Sequence, residues 1–164
     1  MSKNFSIAYQ APPIGLLPPA ADAAGRTGPY KSLRNVAGKV AVVCRVNQGN
    51  AAPVTFSVLQ SKDSSGTGSK AIGTLSNPQI FYNADTTSSD TLVGQVAATN
   101  FATDAALKDK IVIFDFDPAS CLDLANSYSH IAVQTSASNA SNITAAEMIA
   151  MATFQQTVPP PSEV

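Results

Sequence analysis

The chain has 164 residues, 45% of them hydrophobic and only 13% charged, with ten Lys and Arg against eleven Asp and Glu for a net charge of −1. That length suits one domain with a real core, and so much apolar content at so low a net charge excludes wholesale disorder. The charges form no block of one sign, no run approaches the ~18 apolar residues of a membrane-spanning helix, and the opening MSKNFSIAYQAPP lacks the apolar stretch and cleavage pattern of a secretory signal. Nucleic acid and membrane are therefore not expected partners, and synthesis in a cytosol is the expectation. Ser, Thr, Asn and Gln supply the polarity that charges usually supply, a surface suited to close packing against neighbouring subunits.

Residues 1–29 carry Pro12, Pro13, Pro18, Pro19 and Pro29, together with Gly15, Gly25 and Gly28. Proline at this spacing forbids a stable helix and favours extended backbone. The segment also holds Phe5, Ile7, Tyr9, Ile14, Leu16 and Leu17, which a plain linker would not need. Burying six such side chains, at about 1.5–3 kcal/mol each, falls short of ordering some 25 backbones at about 1–2 kcal/mol each. Such an arm cannot order itself: it is either loose, as a frayed terminus, or lies along a partner that also supplies backbone hydrogen bonds. The six side chains are accordingly the expected partner-binding anchors.

The body reads as strands. Lys39–Val46 is rich in β-branched residues and ends at the turn Asn47-Gln48-Gly49-Asn50, and Val54–Gln60 alternates apolar and polar. The turn between them predicts an antiparallel hairpin. Ser61–Ser69 is a polar, glycine-containing loop, with a short strand at Lys70–Leu75. Weaker strands are expected at Ile80–Tyr82 and Thr91–Ala97, and a loop or one helical turn at Ala102–Lys108. Ile111–Phe116 is a clear strand, ended by Asp117-Pro118. A turn of helix at Cys121–Ala125 leads to a strand at His130–Thr135 and a turn over Ser136–Asn142. Ala146–Gln156 is apolar on both faces, so it predicts a central or covered strand, with a helix over Thr144–Ala152 as the competing reading. Pro159-Pro160-Pro161 ends regular structure. Seven or eight short strands without βαβ alternation predict an all-β antiparallel sandwich or jelly roll. The expected partition is an arm over residues 1–29, the sandwich over 30–156 and a tail over 157–164.

Chemistry-bearing groups are sparse. His130 is the single histidine, and no Gly-x-Ser-x-Gly elbow surrounds any serine. Asp115, Asp117 and Asp123 lack the remaining ligands and the glycine of a calcium loop. Gly66-Thr67-Gly68-Ser69-Lys70 misses the spacing of a phosphate loop. Cys44 and Cys121 are too few for a disulfide framework or a structural zinc site, and Cys44 sits among valines like a buried small hydrophobe. Neither catalysis, cofactor nor metal is expected.

The succession from Tyr30-Lys31-Ser32-Leu33-Arg34-Asn35 through the valine strand, Asn47-Gln48-Gly49-Asn50 and Thr55–Gln60 continues late in the chain. There Phe114–Asp117 and Leu122–Ser136 follow a glycine- and serine-rich loop. Over Tyr30–Gln156 this pattern resembles the small structural proteins of tailed-bacteriophage virions that decorate or cement the capsid. The resemblance implies a β-sandwich on the capsid exterior, often trimeric, that holds neighbouring shell subunits together. The major capsid protein or other virion subunits are then the expected partners. A tail, baseplate or fibre component is a second reading, and a glycan- or ligand-binding sandwich a third.

Overall fold

The computed structural model describes residues 7–152. They form two packed antiparallel sheets with almost no helix. In chain order the elements are α1 (Ile7–Gln10), β1 (Ile14–Ala21), β2 (Lys31–Ser32), β3 (Val36–Gln48), β4 (Thr55–Ser61), β5 (Lys70–Ala71), β6 (Gln79–Asn83) and β7 (Val93–Gln95). They continue as β8 (Asn100–Ala102), β9 (Asp109–Phe116), α2 (Pro118–Cys121), β10 (His130–Thr135) and β11 (Asn142–Ala152). The larger sheet runs β1-β11-β3-β9-β6-β7, and the smaller runs β2-β10-β4-β5 with β8 also on β4. The fold is thus the all-β sandwich that the strand spacing predicts.

Alternation places Val40, Val42, Cys44 and Val46 of β3 inward, beside Val112, Phe114 and Phe116 of β9. Phe56 and Val58 of β4 and Ile131 and Val133 of β10 face them from the smaller sheet, and all belong to one core. The predicted β3–β4 hairpin does not form, since the two strands lie in different sheets. Both present apolar inner faces, and stacking them buries more than pairing them edge to edge would. The crossing is held by Asn142, whose Oδ1 accepts the Asn50 N–H at 2.8 Å and whose Nδ2 donates to the Ala52 carbonyl at 2.9 Å.

Residues 142–152 are a strand, not the competing helix, and lie between β1 and β3 as an apolar strand on both faces requires. The short strand expected over Lys70–Leu75 is confined to Lys70–Ala71. Residues 103–108 are loop, turned on Asp104, which accepts the Ala106 N–H at 2.8 Å.

The largest departure lies at the N-terminal side. Residues 14–21 do not stand away from the domain; they are the edge strand β1, with Ile14 opposite Met148 and Ala21 opposite Ile143. The backbone hydrogen bonds that an arm needs come from β11 of the same chain. The ladder bulges around Pro18 and Pro19, which have no N–H to offer. There Arg26 replaces it, donating to the Pro18 carbonyl at 2.9 Å and to the Thr144 carbonyl at 2.8 Å. Gly28 then passes so close that a Cβ would lie 1.7 Å from the Leu16 carbonyl oxygen, so this crossing demands glycine.

Candidate interaction surface

The six expected anchors divide. Leu16 and Leu17 are buried in the domain's own core, 0% and 3% exposed, and Ile14 packs against that core. They are therefore not free to grip a partner. Ile7 is 53% exposed in the single turn α1. Tyr9 lies in α1, its side chain outside what is described, and Phe5 lies outside the described residues. Of the expected anchors, Phe5, Ile7 and Tyr9 precede Ala11, itself buried at 3%.

The groups with chemical potential are engaged by the fold. His130 is buried and its Nδ1 lies 3.0 Å from the Ser129 hydroxyl. Asp117 caps α2, accepting the Ala119 N–H at 2.9 Å, and Asp115 pairs with Lys39 at 3.1 Å. Asp123 accepts from Lys70 at 2.6 Å and from Asn126; these bonds, Lys70 first, hold its carboxyl below the usual range. Both cysteines are free and buried, and burial pushes the Cys44 thiol far up. No group of three or more potential metal ligands occurs among the described residues.

Two polar clusters lie inside the sandwich. Lys110 occupies an inward position of β9, with its ammonium donating to Gln48 Oε1 at 2.9 Å and to Asp104 at 2.7 Å. Burial alone would raise the Asp104 carboxyl, but the bonds from Lys110 and Tyr82 hold it below the usual range. At the β1 side, Asp22 is fully buried and accepts from Thr135 and Thr144. The Lys110 cluster is fully hydrogen-bonded, whereas at Asp22 the neighbouring Arg26 Nε is buried without a hydrogen-bond partner, 3.8 Å from the carboxylate.

The outer face of the larger sheet is different. Its positions include Ala41, Ile111, Ile113, Ala145 and Ile149, all half-buried, and Val43, which is buried at 8% although it lies outside the central cluster. The pairing registers align a row across all six strands: Gly15, Glu147, Val43, Ile113, Phe81 and Gly94. On one side the face is walled. The β6–β7 loop folds back, with the Thr86 N–H donating to the Asp109 carbonyl at 2.8 Å and Asp85 paired with Lys108 at 2.8 Å. Between this loop and the floor at Val43, Arg45, Ile111 and Ile113 is a depression of about 670 Å³. A second depression, against Pro18 and Pro19, shares Val43 and Arg45. In sequence the face is marked only by Ala41 and Val43 of β3 and Ile111 and Ile113 of β9, set among the charged Lys39, Arg45, Asp109 and Asp115, whereas the expectation of a docking element fell on residues 1–29.

No protein-family model matches the chain. No curated protein matches it either. Among solved structures it is similar to the SPBc2 prophage-derived protein YomS, at 9% identity and a TM-score of 0.48, over 89% of this chain and 98% of that one.

Proposed function

We propose that the chain is an adhesive structural subunit of a bacteriophage virion, seated on the capsid exterior and holding neighbouring shell subunits together. The observation that carries the reading is the contrast within the described residues. Polar groups able to do chemistry are tied into the fold, whereas apolar surface is presented outward by Ile7 and by the larger sheet. The strand-and-turn pattern over Tyr30–Gln156 supports the virion setting by resemblance. Adhesion of this kind works through many modest contacts multiplied by the symmetry of a lattice. The major capsid protein or another virion subunit is the partner.

The test is co-sedimentation with shells using a chain lacking residues 1–10. The cut stops before buried Ala11 and leaves β1 and Asp22 in place. The truncated chain is expected to keep its thermal transition and to bind shells at least tenfold more weakly. Undiminished binding overturns the assignment of the N-terminal residues as the docking element. Failure of the intact chain to bind either shells or tails overturns the virion reading.

A further inference from the structure

The inward row of β9 is Lys110, Val112, Phe114 and Phe116, and Lys110 is 1% exposed. A buried ion pair stabilises a fold little, if at all, beyond an apolar side chain of similar volume, so packing alone does not call for a lysine here. The groups around its ammonium do more than neutralise it. Lys110 stands opposite Val46, which makes Gln48 its diagonal neighbour on the same inner face of β3. Nζ lies 2.9 Å from Gln48 Oε1, 2.7 Å from Asp104 Oδ1 and 2.8 Å from the Asp104 carbonyl oxygen. The Thr103 hydroxyl donates to the same Oε1 at 3.0 Å, and the Val54 N–H, at 3.1 Å from Thr103 Oγ1, fixes that hydroxyl. Gln48 Nε2 donates to the Asp104 carbonyl at 2.9 Å. An amine, a carboxamide, a carboxylate able to take a proton and a donor on the carboxamide oxygen therefore meet at one point. Gln48 and Thr103 are each 3% exposed, so water is kept from the carboxamide.

We infer that Lys110 and Gln48 form an amide bond between their side chains after the chain has folded, tying β3 to β9. The ion pair is the unreacted state. Asp104 takes one proton from the Nζ ammonium, and rotation about the Cε–Nζ bond turns the freed lone pair towards Gln48 Cδ. The Nζ–Cδ bond forms as the carbonyl π pair moves onto Oε1, where the Thr103 hydroxyl already sits at the distance of an oxyanion donor, about 2.7–3.1 Å. Nζ gives up a second proton, the Cδ–Nε2 bond breaks, and Nε2 leaves with both protons as ammonium. One amine and one carboxamide become one substituted amide and one ammonia, with no oxidant or other reactant. Holding both groups in one pocket replaces a bimolecular encounter by a unimolecular step. The Asp104 carboxyl is the poorer electrophile, because it is ionised and its side chain is 47% exposed to water. That exposure also gives the departing ammonia a way out. The bond concerns the folded chain alone and does not rest on the virion reading.

Intact-mass spectrometry of the purified full chain, fresh from refolding and after prolonged incubation at neutral pH, tests it. The aged chain is expected to lose one ammonia, about 17 Da, from its 16.9 kDa. Trypsin is expected to leave Lys110 uncut and to yield one branched peptide that carries both Gln48 and Lys110. Lys110→Met and Gln48→Met are expected to keep the circular dichroism spectrum and the full mass. The parent chain held unfolded in guanidinium is expected to keep its full mass as well. Asp104→Asn is expected to form the bond at least about tenfold more slowly. Complete cleavage after Lys110 in the aged chain overturns the inference and leaves a permanent ion pair. A loss of ammonia without the branched peptide overturns it too, as does a loss of water with Lys110 joined to Asp104. No particle enters the measurement, so its failure is separate from failure of the virion reading.

Discussion

The Asp22 carboxylate accepts the Thr135 hydroxyl at 2.7 Å and the Thr144 hydroxyl at 3.3 Å, so one side chain joins a strand of each sheet. Arg26 completes the cluster from 3.8 Å, and its own backbone N–H donates to Thr135 Oγ1 at 3.0 Å. Removing one partner of a buried ionic cluster costs about 3–5 kcal/mol, because the remaining charge is left uncompensated. Asp22→Ala is expected to lose stability in that range, read as a lower urea midpoint at unchanged slope. Asp22→Asn, which keeps an acceptor for one hydroxyl, is expected to lose less.

Lys110 and Asp104 are unequal partners: the lysine side chain is fully buried, whereas the carboxylate is 47% exposed. Removing Asp104 strands an ammonium inside the sandwich, while removing Lys110 leaves a carboxylate that water can reach. Asp104→Ala is therefore expected to destabilise by about 3 kcal/mol, and Lys110→Met, which fills the same volume, by about 1 kcal/mol or less. Equal losses in chemical denaturation would contradict this account.

Asp85 is held well below the usual carboxylate range by the Lys108 ammonium first and then by the Thr87 and Ser88 side chains. Asp63, Asp104 and Asp123 shift in the same direction. A carboxyl depressed in the folded state contributes stability above its unfolded pKa of about 3.9, and that contribution is lost as pH falls through the folded value. The melting temperature is therefore expected to be flat near neutrality and to fall below about pH 4. Lys70 and Lys108 are raised, chiefly by their bonds to Asp123 and Asp85. Their contribution is present below the unfolded lysine pKa of about 10.4 and disappears as pH rises through the folded value. Lys108→Ala is expected to flatten part of both limbs in a melting-temperature profile.

Cys44 lies at 0% exposure among β-branched neighbours, and burial disfavours its thiolate. Since the thiolate is the nucleophile, a maleimide is expected to label Cys44 only as fast as the fold opens. Mass spectrometry should show rapid double labelling in denaturant and slow labelling in buffer. Fast labelling of native Cys44 would show a looser core than this packing implies.

The strands were legible where alternation was unambiguous. Val54–Gln60 and His130–Thr135 each match an observed strand closely. β9 was legible as a strand but not in its orientation. Its inward row contains Lys110, while its outward row contains Ile111 and Ile113. Hydropathy alone does not identify the wet side of such a strand, so the outer apolar face stayed invisible. Pro18 and Pro19 made residues 14–21 read as an arm. The compensating donors lie on Arg26, and the pairing strand lies some 130 residues away in sequence. No local pattern carries either fact. The β3–β4 turn misled for a related reason: Asn47-Gln48-Gly49-Asn50 has hairpin composition, but the partners of β3 are the distant β9 and β11.

The placement of β1 against β11 has a mechanical consequence. Ile14 opens β1 beside Met148, four residues before β11 ends at Ala152, so β1 begins and β11 finishes at one end of adjacent antiparallel strands. A tug between those two points loads the ladder one rung at a time and peels it. A tug between Ile14 and the β3–β4 crossing at the opposite end instead strains every rung together. Under the first pull the seam opens from Ile14 towards Ala21, and the Asp22–Arg26 cluster is the last clasp to give way. The same domain is then yielding when pulled between Ile14 and Ala152 and stiff when stretched along its sheet.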